Sequence, residues 1–518
     1  MSMKGEILAL GLYESFMAHA DNIAIQSINT QYSYADLLQA AAGISNGIPD
    51  MPGIKSPVGI LGSKSFYTYA GICAALFASR PYMPLNMKFP PSRNVKMLEL
   101  SGADIIVADS TSDEMLAHIL TSSSRKYTII TESDPALLAE SYPDHQFTQY
   151  GSGKINMAKA VTASPEDIAY LLFTSGTTGN PKGVPVSNGN VMAYVNYMLE
   201  AWDFSEDDRF SQTFDLTFDL SVHDMMLCWM SGARLCIPEE DSAFRMAAYI
   251  RQHEISVWFS VPSMAILMHK MRLLKAGAYN NIRISFFCGE ALPSTVASKW
   301  QESTDGHEVV NLYGPSEATI AITAYKWDEG NRKSVNDIVC IGKIFPQQEY
   351  CLLDHQKKVV DGKGELCLGG TQIIDGYLDD TALSGKYFIE LEQYPGKKWY
   401  RTGDLVEKDG DGDLYFLGRL DSEVKISGYR VNLFEVDTLL RKITGTDLLA
   451  SILDDRGTAR IVSFVSSGSS MEQAEVIRRC REELPWYMIP EVIIFVDEMP
   501  LNANGKIDRN KLKQKLHE

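Results

Sequence analysis

"LLFTSGTTGNPKGVPVS", residues 171–187, decides how this chain is read. Between an apolar run and the tail "VPVS" it sets Gly176, Gly179 and Gly183 among Thr174, Ser175, Thr177 and Thr178, with a single Lys182. A plain surface turn needs one or two glycines. Glycines interleaved with this many hydroxyls and one ammonium make a nest that wraps a polyphosphate with backbone N–H groups. The stretch is not the GxxxxGK loop that runs from a strand into a helix N-terminus. Pro181 precedes Lys182, Gly183 follows it, and "VPVS" continues as a strand, so strand–loop–strand is expected.

Around the loop the chain reads as α/β. Short β-rich runs such as "VGILG" (58–62), "DIIVAD" (104–109), "YTIIT" (127–131) and "ISVWFSVP" (255–262) alternate with helical patterns. A polar connector, 148–167, leads into the loop, and after about residue 336 the texture turns to short strands with turn signals. With 518 residues, two or more domains are expected. A boundary at "GRLDSE" (418–423) divides a large α/β domain, 1–418, from a small α+β domain, 423–518, with a hinge at 419–422. The N-terminus carries Glu6 and Glu14 inside an apolar pattern, which reads as an amphipathic helix and not a leader.

Eight scattered cysteines without a CxxC pair argue against zinc and a disulfide framework, and suit a reducing compartment. No apolar run is long enough to span a bilayer. A formal charge of −18 disfavours nucleic acid and anionic membranes as partners. The expectation is a cytoplasmic protein.

Further stretches carry chemistry. "NLYGPSEAT" (311–319) joins Tyr313, able to stack on a base, to Ser316, able to bond a phosphate, and Glu317, a hard oxygen ligand suited to Mg²⁺. "YRTGDL" (400–405) puts Asp404 after a turn, where a carboxylate can accept two ribose hydroxyls, and Arg419 follows in "GRL". "NANGKID" (502–508) sets Lys506 on a glycine turn. Each alone has an ordinary reading: core Tyr, turn Asp, solvated Lys.

In this order and spacing the stretches resemble the adenylate-forming enzymes, which include amino-acid adenylation domains of peptide synthetases, acyl-CoA synthetases and firefly-type luciferases. The resemblance runs from "YSYADL" (32–37) through "YMPLN" (82–86), "GELCLGGTQIIDGYL" (364–378) and "GRLDSEVKISGYRVN" (418–432) to "NGKID" (504–508). It implies ATP and Mg²⁺ as cofactors. The loop 174–183 would hold the phosphates that leave as pyrophosphate, through Thr174, Ser175, Gly176, Thr177, Thr178, Gly179 and Lys182. Gly289, Glu290, Asn311, Tyr313, Gly314, Ser316, Asp404 and Arg419 would complete the nucleotide site. Glu317 would hold the metal, and Lys506 would bridge the substrate carboxylate and the α-phosphate. Losing Lys506 is expected to cost roughly 10²–10³ in adenylation, as for one strong transition-state donor. The small domain would pivot at Asp421 between two half-reactions.

The substrate is read from "TFDLTFDLSVHDMM" (213–226). In the family's amino-acid activators an Asp in this context pairs with the substrate ammonium, which makes Asp219 that residue. A buried carboxylate needs a cationic partner, and Ser221 is available to cap a helix over 221–226 in its place. Leu220, His223, Ser263, Phe286, Cys288, Leu312, Ile320 and Ala321 would line the rest of a pocket for a small or medium amino acid, such as Ala, Ser, Cys or 2-aminobutyrate. The same motifs also look like D-alanine–carrier-protein ligases, so D-Ala joins the candidates. His223 serves either as a polar group of the pocket or as packing. Glu423, Ser427 and Asn432 stand where the family often has Gln, Arg and Glu. The sequence ends soon after its last motif, so the acceptor is expected to be the phosphopantetheine thiol of a separate carrier protein. Coenzyme A is the alternative, and a nucleotide-binding module without chemistry is a third reading.

Overall fold

The runs that flank the glycine loop are strands, Ile168–Thr174 and Lys182–Ser187, neighbours at the edge of a seven-stranded sheet. This is seen in a computed structural model that describes residues 7–49, 56–151, 163–174, 181–239, 243–328, 330–420, 423–446, 448–456, 458–466, 471–500 and 507–517. The sheet continues through Tyr82–Leu85, Val58–Leu61, Ile105–Ala108, Thr128–Thr131 and Gln146–Gln149. Its recorded pairs are parallel. Strands covered on both faces need unbroken apolar runs, which is why Val58–Leu61 and Ile105–Ala108 are buried at every position. The expected connector at 148–167 begins inside a strand, since Gln146–Gln149 pairs in register with Thr128–Thr131.

A nine-stranded sheet follows the same logic, with Arg209–Ser211, Val257–Ser260, Ile284–Phe287 and Glu308–Tyr313 side by side. An N-terminal strand, Ile23–Gln26, adds to it parallel to Arg234–Cys236. One continuous core fills the space between the two sheets, from Ile60 and Val107 to Phe259 and Ile284. The N-terminal amphipathic helix, Leu8–Ala18, packs Leu8, Leu12 and Phe16 into it. Beyond residue 336 the short strands form an antiparallel sheet centred on Lys363–Gly370 and Tyr394–Lys408. Among the described residues no helix is long and apolar enough to cross a membrane.

Two compact units divide the chain. Met1–Met87, Leu98–Leu172 and Gly183–Leu420 make the first, which holds these three sheets apart from Phe173, Thr174 and Lys182. Lys88–Met97, Phe173–Lys182 and Asp421–Glu518 make the second. The second unit opens with a hairpin, Glu423–Ile426 and Tyr429–Asn432, closed by Ser427 and Gly428. Both turn residues have positive φ, +49° and +83°, as a tight two-residue hairpin turn requires. Asn432 accepts from Phe434 N at 2.9 Å and caps the helix Leu433–Thr444, so it has a structural task. A three-stranded sheet of Leu449–Asp454, Arg460–Ser466 and Val492–Val496 completes the unit around Ile452, Val462, Phe464 and Leu512. Asp437 ties it together, accepting from Ser451 N at 2.7 Å and from Arg509 Nη2 at 2.6 Å.

Candidate functional site

The strand Glu308–Tyr313 ends where the first unit gathers its polar groups. Tyr313 donates its phenol to Oδ2 of Asp404, and Arg419 Nη1 holds Oδ1 of the same carboxylate at 2.6 Å. Asp404 and Arg419 face each other across an antiparallel pair, so the register itself aligns them. Thr402 accepts from Asp404 N at 3.0 Å, and Gly403, at φ +73°, donates its N–H to Glu365. Burial, and then the neighbouring Asp404 charge, push the Tyr313 phenol well above its ordinary range, so it remains a donor. Asp404 is buried and bonded on both oxygens, a carboxylate fixed in place before any ligand arrives.

The segment after Tyr313 is bent by force of packing. A Cβ on Gly314 would lie 2.6 Å from Ala321 Cα, so only glycine fits. Thr319 and Ile320 take left-handed backbone, φ +55° and +71°, which β-branched residues avoid. Gln372 holds them there. Its side-chain amide donates to the carbonyls of Ala318, Thr319 and Ala321, and its backbone carbonyl accepts from Thr319 Oγ1 at 2.6 Å. The bend carries Glu317 into the interior, where Oε1 accepts from Tyr377 at 2.6 Å. Strain pinned this way is characteristic of functional loops.

The pocket proposed for the substrate side chain is built on the other face. Leu220, Phe286, Cys288, Leu312, Ile320 and Ala321 are all buried in one apolar cluster. Asp219 sits at the N-cap position of the helix Leu220–Met230 yet makes no side-chain cap bond, and it is buried. Ser221 does not cap either, because it lies inside the helix and its hydroxyl turns back to Leu216 O. The helix expected over 221–226 is therefore longer, and Asp219 is not spent on its backbone.

His223, one turn beyond Asp219, is fully buried between Phe259 and Phe286, with ring centroids 4.2 and 5.2 Å away. Its Nδ1 is 2.6 Å from the Tyr194 hydroxyl. Burial brings its pKa down to about 3, so the ring is neutral at any physiological pH. Ser263 is half-buried, and its N–H donates to Glu290 Oε2 at 2.9 Å. Glu290 thus braces the pocket's Ser263, beside Gly289 with its positive φ of +92°. Asn311 clips the neighbouring chain by donating to Val339 O and Cys340 O, at 3.4 and 3.0 Å. Its Oδ1 has no partner among the described residues.

In the second unit, Lys182 Nζ lies 3.8 Å from Glu423 Oε1, and Glu423 Oε2 accepts from Arg430 Nε. Lys182 and Glu423 are both buried. Thr174 ends its strand with a buried hydroxyl that has no partner among the described residues. Ser175, Gly176, Thr177, Thr178, Gly179, Asp421 and Lys506 lie outside the described residues.

Sequence reasoning missed Gln372, Tyr377 and Tyr194 as supports of the site. Gln372 and Tyr377 do lie inside the quoted stretch 364–378, so a signal existed. Tyr194 carries no motif, and its role follows from the fold alone.

Residues 12–378 match the family of AMP-binding enzymes, and residues 451–506 match the AMP-binding enzyme C-terminal domain. Gramicidin S synthase 1 of Brevibacillus brevis is 30% identical over 513 residues, 97% of this chain and 44% of that protein. The chain thus spans less than half the length of this relative. A D-alanine–D-alanyl carrier protein ligase of Bacillus licheniformis is 29% identical over 474 residues, 89% of each chain. The crystal structure of the Vibrio cholerae adenylation domain AlmE, in complex with glycyl-adenosine-5'-phosphate, superposes with a TM-score of 0.90 at 29% identity. It covers 100% of this chain and 98% of its own.

Proposed function

The chain belongs to the AMP-binding enzyme family, and from that premise we propose that it activates a small amino acid as its adenylate and passes it to a carrier thiol. The observation that carries the reading is Asp219, a buried carboxylate that leaves its own helix uncapped and stands beside an apolar pocket. A substrate ammonium would form a buried ion pair with such a carboxylate.

In the first half-reaction a carboxylate oxygen of the amino acid bonds to the α-phosphorus of ATP. The bond to the bridging oxygen of the β-phosphate breaks, and pyrophosphate leaves. In the second, a thiolate sulfur attacks the acyl carbon, the C–O bond to AMP breaks, and a thioester and AMP result. The chemistry is positioning and charge stabilisation more than covalent catalysis by the protein. Asp404, held by Tyr313 and Arg419, accepts the ribose hydroxyls, and Asn311 Oδ1 offers an acceptor nearby in the chain. Lys182 with the loop 174–183 takes the β- and γ-phosphates, and Lys506 bridges the reacting carboxylate and α-phosphate. Glu317, an oxygen donor already oriented by Tyr377, fits Mg²⁺, which favours one or two carboxylates together with phosphates. When bound, the ion neutralises phosphate charge.

His223 is neutral, and Leu220, Phe286, Cys288, Leu312, Ile320 and Ala321 present apolar walls. That favours an amino acid with an uncharged side chain. The D-alanine ligase and the glycyl-adenylate complex among the similar proteins support glycine and D-Ala beside Ala, Ser, Cys and 2-aminobutyrate. A separate phosphopantetheinylated carrier is the acceptor, and the enzyme acts as a monomer in the cytoplasm, where ATP is drawn.

The test is amino-acid-dependent exchange of labelled pyrophosphate into ATP across these candidates and the proteinogenic set. A signal confined to one or two small amino acids is the expected result. Exchange only with fatty or aryl acids would overturn the role of Asp219.

A further inference from the structure

The Lys182–Glu423 pair has no place in either half-reaction as written. It joins the single ammonium of the glycine loop to a carboxylate at the start of the hairpin, with both side chains almost wholly out of solvent, 6% and 2% exposed. The hairpin register sets Glu423 opposite Asn432 and Lys425 opposite Arg430, and Arg430 reaches back to the second oxygen of Glu423. A glutamine would bring a neutral amide to the same place, whereas Glu423 brings a full negative charge.

We propose that Glu423 is a built-in competitor for Lys182, holding its ammonium when no polyphosphate is bound and yielding it when ATP arrives. This rests on the reading of Lys182 as a phosphate ligand. A buried ammonium without a counter-anion is costly, so something negative must accompany it in every state of the cycle. ATP supplies that charge before adenylation and pyrophosphate supplies it immediately after. Glu423 supplies it once pyrophosphate has gone. The carboxylate therefore weakens the hold on ATP and speeds release of pyrophosphate. If Glu423 occupies Lys182 in nine molecules of ten, apparent affinities for both ligands fall about tenfold.

The experiment is calorimetric titration of the full chain with pyrophosphate and with MgATP, in wild type, Glu423→Gln, Arg430→Gln and Lys182→Ala. Glu423→Gln should tighten both ligands by about three- to tenfold. In the exchange assay it should lower the KM for ATP in proportion, with the KM for the amino acid unchanged. Arg430→Gln removes the Arg430 contact from Glu423 and should leave affinity unchanged or weaker. If Glu423→Gln leaves both affinities as in wild type, the competition does not exist. If Glu423→Gln and Arg430→Gln both tighten binding, the effect belongs to hairpin packing and the proposal fails. Lys182→Ala separates the premise from the proposal. If it does not weaken pyrophosphate, the phosphate reading of the loop is wrong. If it does weaken pyrophosphate while Glu423→Gln changes nothing, only the competition is wrong.

Discussion

Leu312 and Tyr313 are consecutive residues of one strand, and they serve two regions assembled on opposite plans. Side chains alternate along a strand, so Leu312 enters the apolar cluster that surrounds the pocket proposed for the amino acid while Tyr313 joins a second cluster beside Asp404. In the corner proposed for the nucleotide each carboxylate oxygen of Asp404 is already bonded within the protein. In the pocket the walls are apolar, the one imidazole is neutral, and Asp219 makes no cap bond. A ligand that is the same in every turnover can be met by a prebuilt polar frame. A ligand that must be chosen is met by shape and a single charge, because shape discriminates by only about 1–3 kcal/mol per methylene while the charge accepts any ammonium.

The largest way to test that contrast is Asp219→Ala. Removing one partner of a buried ion pair costs about 3–5 kcal/mol, so kcat/KM for the amino acid should fall by roughly 10²–10⁴. Binding of ATP alone, followed by calorimetry, should stay within about twofold, because the corner does not depend on the pocket. A comparable loss in ATP binding would show that the two regions are one cooperative site. Arg419→Ala is the reverse experiment with a smaller effect. Loss of a charge-assisted bond to Asp404 costs about 1.5–3 kcal/mol, so the KM for ATP should rise roughly 10- to 10²-fold with the amino-acid KM nearly unchanged.

The sequence disclosed the two regions unequally, and the reason is physical. The corner proposed for the nucleotide lies in turn-rich stretches, where Gly314, Gly403 and their polar neighbours are constrained locally, so short motifs betray it. The pocket is made by register. Phe259 and Phe286 stand opposite each other on adjacent strands, and both reach His223 on a helix from elsewhere in the chain. Nothing in "FDLSVHDMM" shows that His223 meets Tyr194, or whether it packs or bonds; the fold makes it do both. Cys351 and Cys367 make the same point, since they read as scattered residues yet are cross-strand partners in one register. The alternation of strands and helices, the N-terminal helix and the strand-rich stretch after 336 were legible because periodicity is local.

The smallest effect separates two neighbours on the pocket's own helix. His223 and Asp224 are both fully buried, and burial moves them in opposite directions. His223 falls from 6.5 to about 3, so between those values the unfolded chain binds a proton that the folded one refuses. Its contribution is complete above pH 6.5 and is lost as pH falls toward 3. Asp224 rises well above 3.8, and neither of its oxygens has a hydrogen-bond partner among the described residues. From pH 3.8 upward the folded chain keeps a proton that the unfolded chain has lost, so this group lowers stability as pH rises. Asp224→Asn removes that falling limb. Its melting temperature relative to wild type should climb steadily from pH 4 to pH 8, while pyrophosphate exchange at saturating amino acid changes by less than about threefold, a surface-sized effect of under 1 kcal/mol. A flat melting difference would mean that Asp224 is ionised in the fold. A collapse of exchange would move Asp224 into the site beside Asp219, and the single-charge description of the pocket would have to be given up.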